Sequence, residues 1–177
     1  LVMARNESGR GTATRVGLIL LVAGLLVAAF LVGAKYNEDR NVGPGTASAT
    51  KLLNQALKAQ VSGDTESATK TFRLLLEIDP RNKLAHYNLG LIAQQRGDSA
   101  EADAAYRRAI AIDPSFAPAL YNLGIVRADV GDTTEAIALY TRATKADPKF
   151  AVAFLNLGLA LFDTGRKAEA DVALNQA

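Results

Sequence analysis

The chain of 177 residues contains no cysteine and one histidine. No disulfide framework and no thiol nucleophile can therefore be built, and a zinc site of the usual Cys/His type lacks its ligands. No glycine-rich loop follows a strand to cradle a phosphate, and the carboxylates recur at the starts and stops of helices instead of in catalytic clusters. The chain is expected not to be an enzyme and to use no metal or cofactor. His86 stands in a column filled elsewhere by Leu52, Leu120 and Phe154, so it is expected as a core side chain. A charge excess of one sign is also missing where it would matter. The formal net charge is +2, and residues 49–177 hold fifteen Lys plus Arg against fifteen Asp plus Glu. That balance argues against a nucleic-acid partner, which calls for a basic stripe. The basic pairs Arg107-Arg108 and Arg166-Lys167 are expected on solvated helix faces.

What the chain does have is a period. Pro80, Pro114 and Pro148 are 34 residues apart in similar settings, EIDPRN, AIDPSF and KADPKF. At the same spacing Gly63, Gly97, Gly131 and Gly165 fall in one column, Ala68, Ala102, Ala136 and Ala170 in another, and Gly90, Gly124 and Gly158 in a third. Four units follow: 49–82, 83–116, 117–150 and an incomplete 151–177. Each holds two apolar stretches of helical length split by a glycine turn and closed by Asp-Pro, which reads as helix, turn, helix, stop. Proline disfavours the helical conformation at the residue before it, so Asp79, Asp113 and Asp147 should end each second helix. The glycines should supply the left-handed conformation that ends each first helix. Asp98 with Glu101 and Asp132 with Glu135 have the spacing of a capping box, in which the second carboxylate reaches back to a free amide. Unit one has Ser67 at the second position, and unit four has Arg166 in place of the capping acid.

The Tyr-Asn-Leu-Gly segments at 87–90 and 121–124, the later small alanine, the aromatic at Phe72, Tyr106 and Tyr140, then Ala109 or Ala143 and Asp-Pro resemble the tetratricopeptide repeat, of the membrane-anchored bacterial type. The resemblance covers residues 49–177 and implies an all-α helix-turn-helix solenoid. Unit one departs from it, with Gln55-Ala56 where the others have Leu-Gly. Stacked units of this kind bury one another's apolar faces and curve into a concave inner surface, the expected site for protein or peptide partners. The family geometry implies groove positions at Tyr87 and Tyr121, in a column with Leu53 and Leu155. It implies others at Leu91 and Ile125, in a column with Leu57 and Leu159. Asn54, Asn88, Asn122 and Asn156 recur in all four units. A row of carboxamides, each both donor and acceptor, can pair with the backbone of an extended peptide. The plainer role for the same row is to bond within or between repeats. Lys and Arg are absent from the inner positions Thr50, Leu84 and Pro118, which disfavours capture of a partner's C-terminal carboxylate in the groove.

Residues 16–34, VGLILLVAGLLVAAFLVGA, carry no charged or polar side chain. At about 1.5 Å per residue this run nearly crosses a hydrocarbon core of about 30 Å. A single transmembrane helix is expected, preceded by a basic head at 1–15 and followed by a flexible linker at 35–48. The alternative is a cleaved signal peptide ending near Val32-Gly33-Ala34, against which the length of the run speaks. Arg5, Arg10 and Arg15 before the span, against Lys35 and Arg40 after it, favour a cytoplasmic N-terminus and extracytoplasmic repeats at the plasma (inner) membrane. Small residues at Gly24 and Ala28, and at Ala29 and Gly33, have a spacing that lets spans pair, which leaves a homo-oligomer open. The fourth unit breaks off before its Pro column, so Leu174 is expected without a following neighbour.

These observations point to a membrane-anchored interaction scaffold that binds peptide segments of partner proteins, in envelope complex assembly or quality control. Two alternatives remain at this level. One is an accessory subunit of cytochrome c maturation that presents the apoprotein; the other is the anchor or regulatory part of a longer enzyme or sensor.

Overall fold

The computed structural model describes residues 44–177, and these form eight α-helices with no strand among them. In chain order they are α1 (Pro44–Val61), α2 (Thr65–Ile78), α3 (Lys83–Gln95), α4 (Ser99–Ile112), α5 (Ala117–Asp129), α6 (Thr133–Ala146), α7 (Ala151–Asp163) and α8 (Lys167–Leu174). Odd and even helices alternate as the first and second members of four pairs, and each pair packs on the next. The expected basic head, span and most of the linker lie outside the described residues. Within them, no helix is long and apolar enough to cross a membrane. The linker expected at 35–48 is shorter than its composition suggested, because α1 already begins at Pro44. Proline is compatible with a first helical turn, where its missing N–H would have no partner anyway.

Each punctuation mark in the sequence has a physical counterpart. Gly63, Gly97, Gly131 and Gly165 have φ of 81°, 77°, 86° and 79°. A side chain there would face the left-handed penalty of about 1–2 kcal/mol. Asp79, Asp113 and Asp147 are the C-cap residues of α2, α4 and α6, as the following prolines require. Asp64, Asp98 and Asp132 cap α2, α4 and α6 by accepting from the amides of Ser67, Glu101 and Glu135. The capping box is only half realised. The Asp98 and Asp132 amides donate to the Ala93 and Arg127 carbonyls. Glu101 and Glu135 turn outward to arginines of the preceding pair, Arg73 at 3.3 Å and Arg107 at 2.8 Å. A carbonyl near the end of the first helix already satisfies the amide, which frees the carboxylate for the preceding repeat. The Arg107 side chain is accordingly paired and not merely solvated, as is Arg166 with Glu169.

The core is a column of small residues opposed to rings. Ala68, Ala102, Ala136 and Ala170 are buried, and Tyr106 and Tyr140 lie against Gly90 and Gly124 so closely that an added Cβ would sit 2.5 Å from the ring. The missing side chain is what lets the two helices of a pair approach. In unit four Leu174 takes the ring's place against Gly158. His86 is buried, its Nε2 3.1 Å from the Pro80 carbonyl.

Candidate partner-binding face

The first helices of units two and three carry Tyr-Asn, and the structure turns that dipeptide into a link between repeats. Tyr87 is buried against Tyr106 of its own pair, with ring centroids 5.9 Å apart, and against Phe116 at the entry to the next pair, at 5.3 Å and 75°. Tyr121 repeats the arrangement with Tyr140 at 5.8 Å and Phe150 at 5.1 Å. Such edge and tilted contacts are favoured by the ring quadrupoles. The following repeat closes each cluster: Asn122 Nδ2 donates to the Tyr87 hydroxyl at 3.1 Å, and Asn156 Nδ2 to the Tyr121 hydroxyl at the same distance. Burial pushes the Tyr121 phenol up to about 12, although the Asn156 bond pulls it the other way.

Unit one breaks the chain of bonds in an instructive way. Leu53 replaces tyrosine there, so Asn88 has no hydroxyl to reach and donates to its own helix at Leu84 O, 2.7 Å away. The carbonyl oxygens of Asn88 and Asn122 are buried without a hydrogen-bond partner.

The expected groove residues therefore fall into two sets. Tyr87, Tyr121 and Leu91 are buried, as are Asn88 and Asn122, each only 1% exposed. Tyr87, Tyr121 and Leu91 pack in the core and Asn122 bonds the preceding repeat, while Asn88 bonds only its own helix. Ile125 and Asn156 are half-buried and Asn54 is exposed. The same helix face becomes open in unit four, where Leu155 is 43%, Leu159 50% and Phe162 54% exposed. Leu155 shares the column of Tyr87 and Tyr121, and Leu159 that of Leu91 and Ile125. In units two and three the following repeat's asparagine and the Phe116 and Phe150 rings cover the tyrosine column of this face.

Sequence reasoning missed two groups. The first is the pair Phe116 and Phe150, whose recurrence in one column was the available signal. The second is an ion-pair cluster between the second and third pairs. Arg107 lies 2.7 Å from Asp103 and 2.8 Å from Glu135, while Arg127 lies 2.6 Å from Asp132, 2.8 Å from Glu135 and 3.6 Å from Asp103. The four-residue spacing of Asp103 and Arg107 signalled the first contact. The contacts of Arg127 with Asp132 and Glu135 arise from the pairing of α5 with α6 in its own unit, and only the one with Asp103 comes from the stacking of repeats.

Stacked helical pairs with a recurrent Tyr/Asn link define a helical-repeat solenoid whose surfaces are suited to contact with other chains. The family model described as the cilia and flagella-associated protein 70 middle TPR-like domain matches residues 52–177, and the chain belongs to this TPR-like family. Among solved structures it is similar to an O-GlcNAc transferase mutant from Thermobaculum terrenum, with 32% identity and a TM-score of 0.62. That match covers 68% of this chain and 23% of the transferase, so the likeness concerns less than a quarter of that protein. A crystal structure of MamA is similar over 99% of this chain and 94% of its own, at 22% identity and a TM-score of 0.66. MamA residues 41 to the end from Desulfovibrio magneticus RS-1 match with 20% identity, 72% of each chain and a TM-score of 0.63. At those identities the MamA likeness shows the fold alone. No curated protein sequence matches the chain.

Proposed function

We propose that this chain is a membrane-anchored scaffold whose repeats hold a segment of a partner protein, with binding and not catalysis as its role. The observation that carries the reading is the TPR-like repeat array itself, matched over residues 52–177, since stacked helical pairs present extended surfaces to other chains. Asn156, half-buried on α7, is the member of the asparagine row best placed to meet a peptide backbone, while the buried Asn88 and Asn122 serve the fold. Anchoring is read from the apolar run 16–34, and the arginines before it favour repeats outside the cytoplasm, where envelope proteins are assembled and checked.

The test is crosslinking in intact cells from a photoreactive residue at Leu159, with Arg108 on an even helix as the control position. Capture of one protein from Leu159 and not from Arg108 supports a dedicated scaffold. Equal capture from both positions, or none from Leu159, overturns the reading. Protease added outside spheroplasts should digest the repeats, and full protection would refute the topology.

A further inference from the structure

The even charge count of the repeats hides a polarity. Successive helices are joined by turns of three or four residues and pack against one another, so they run antiparallel. All Asp-Pro turns therefore lie along one edge of the array, and all glycine turns along the opposite edge. With α1 to α6 divided at their midpoints, residues 44–52, 72–88, 106–122 and 140–150 fall in the half nearer the Asp-Pro turns. They hold nine Lys plus Arg against four Asp plus Glu, a charge of +5. Residues 53–71, 89–105 and 123–139, in the glycine half, hold four against eight, a charge of −4. Each edge receives one helix start and one helix end per pair, so the backbone dipoles do not produce the difference.

Local chemistry separates the two signs. Capping puts Asp64, Asp98 and Asp132, each followed by a first-turn glutamate, at the starts of even helices on the glycine edge. On the other edge the acids are mostly tied down. Asp79 accepts from Asn82 Nδ2, and Asp113 and Asp147 accept from the amides of Ser115 and Lys149, all within their own turns. Arg81, Arg108, Lys145 and Lys149 are exposed on this edge and pair with no carboxylate among the described residues. Acids drawn into the turns, with cations standing outside them, give the edge a positive outer surface.

The basic edge is also the edge by which the chain is tethered. Helix α1 starts on it at Pro44, and only residues 35–43 separate that start from the apolar run 16–34. A connection of that length reaches at most about 35 Å. We infer that the Asp-Pro edge docks on the anionic lipid headgroups of the membrane that holds the run, through Arg81, Arg108, Lys145 and Lys149. Cations within about 8 Å of an anionic lipid surface are attracted to it, and the tether supplies the high local concentration that lets a few of them suffice. The helices then stand upright on the bilayer, and the acidic glycine edge points away from it. The inference rests on the anchoring proposed above.

The chain has no cysteine, so a bimane label can be placed through Ala146→Cys or Thr134→Cys, exposed positions at opposite ends of α6 and about 18 Å apart along it. The full chain is put into nanodiscs of phosphatidylcholine, or of phosphatidylcholine with about a quarter phosphatidylglycerol, each with a headgroup-nitroxide lipid as quencher. The ratio of quenching at 146 to quenching at 134 should be at least about threefold higher in the anionic disc than in the neutral one. Sodium chloride at about 1 M should bring the two ratios together. Arg81→Glu, Arg108→Glu and Lys149→Glu combined should abolish the gain, whereas Arg81→Lys, Arg108→Lys and Lys149→Arg combined should keep it. The salt series on the labelled parent chain decides the matter if the charge-reversed variant does not fold. A chain that inserts into neither disc overturns this inference and the anchoring together. One that inserts but gives the same ratio in both discs, or a gain that survives the salt, overturns the docking alone.

Discussion

Removing one oxygen atom tests whether the Tyr/Asn link holds the repeats together. In Tyr87→Phe the ring stays between Tyr106 and Phe116, but Asn122 loses the hydroxyl it donates to. Its carbonyl oxygen already lacks a partner, so the whole carboxamide becomes unsatisfied in a buried place, at a cost of about 1–3 kcal/mol. Asn88 shows the available retreat, a bond to the carbonyl four residues back in its own helix, which places the expected loss near the lower end, about 1–2 kcal/mol. For a domain of this size that lowers Tm by roughly 3–6 °C, measured by circular dichroism at 222 nm. Tyr121→Phe is the internal control, because Asn156 is half-buried and water can replace the lost hydroxyl; about 0.5 kcal/mol is expected. Combining Tyr87→Phe with Asn122→Leu removes both partners and should recover most of the loss. If Tyr121→Phe costs as much as Tyr87→Phe, or the double variant is no better than the single, the bond does not carry the role assigned to it.

Other consequences follow from the same geometry. Gly124→Ala drives a methyl to 2.5 Å from the Tyr140 ring and should cost about 1–3 kcal/mol, partly offset by better helix propensity, whereas Gly131→Ala meets no atom and pays only the positive-φ penalty of about 1 kcal/mol; urea unfolding of both variants separates clash from backbone strain. Burial works against the Asp113 carboxylate, but hydrogen bonds from Lys83 and Ser115 outweigh it and hold its pKa below the ordinary value. The stabilisation is full above the unfolded carboxylate pKa of about 3.9 and is lost as pH falls through the lowered folded value, so Lys83→Met should raise the Asp113 pKa in a carbon-13 carboxyl titration. Tyr121 is raised to about 12 by burial, and burial raises Tyr87, Tyr106 and Tyr140 as well. A phenol raised on folding stabilises fully below its unfolded pKa of about 10 and loses that contribution as pH rises toward 12, so in a Tyr36→Phe background absorbance at 295 nm should climb together with loss of helix; ionisation with the helical signal intact would refute the burial.

The sequence by itself determined the number of pairs, their turns and their stops, because these depend on local backbone chemistry. Only glycine sits comfortably at φ near +80°, and a proline ends the helix before it wherever the chain is going. The 34-residue period carried the stacking too, since identical units meet through identical columns. Tertiary structure decided the fate of the side chains in those columns. Tyr87, Asn88 and Asn122 look like groove residues in one repeat, but the next repeat covers them, and burial is a property of the neighbour and not of the residue. Leu53 in place of tyrosine silently redirects Asn88 to its own helix. Glu101 and Glu135, spaced to reach the cap amide, turn to arginines of the preceding pair instead, because a carbonyl near the end of the first helix has already met the amide. The apolar recess lined by Ile137, Thr141 and Leu161 lay hidden for the same reason: they are 24 residues apart from first to last, and only the packing of α6 against α7 brings them together.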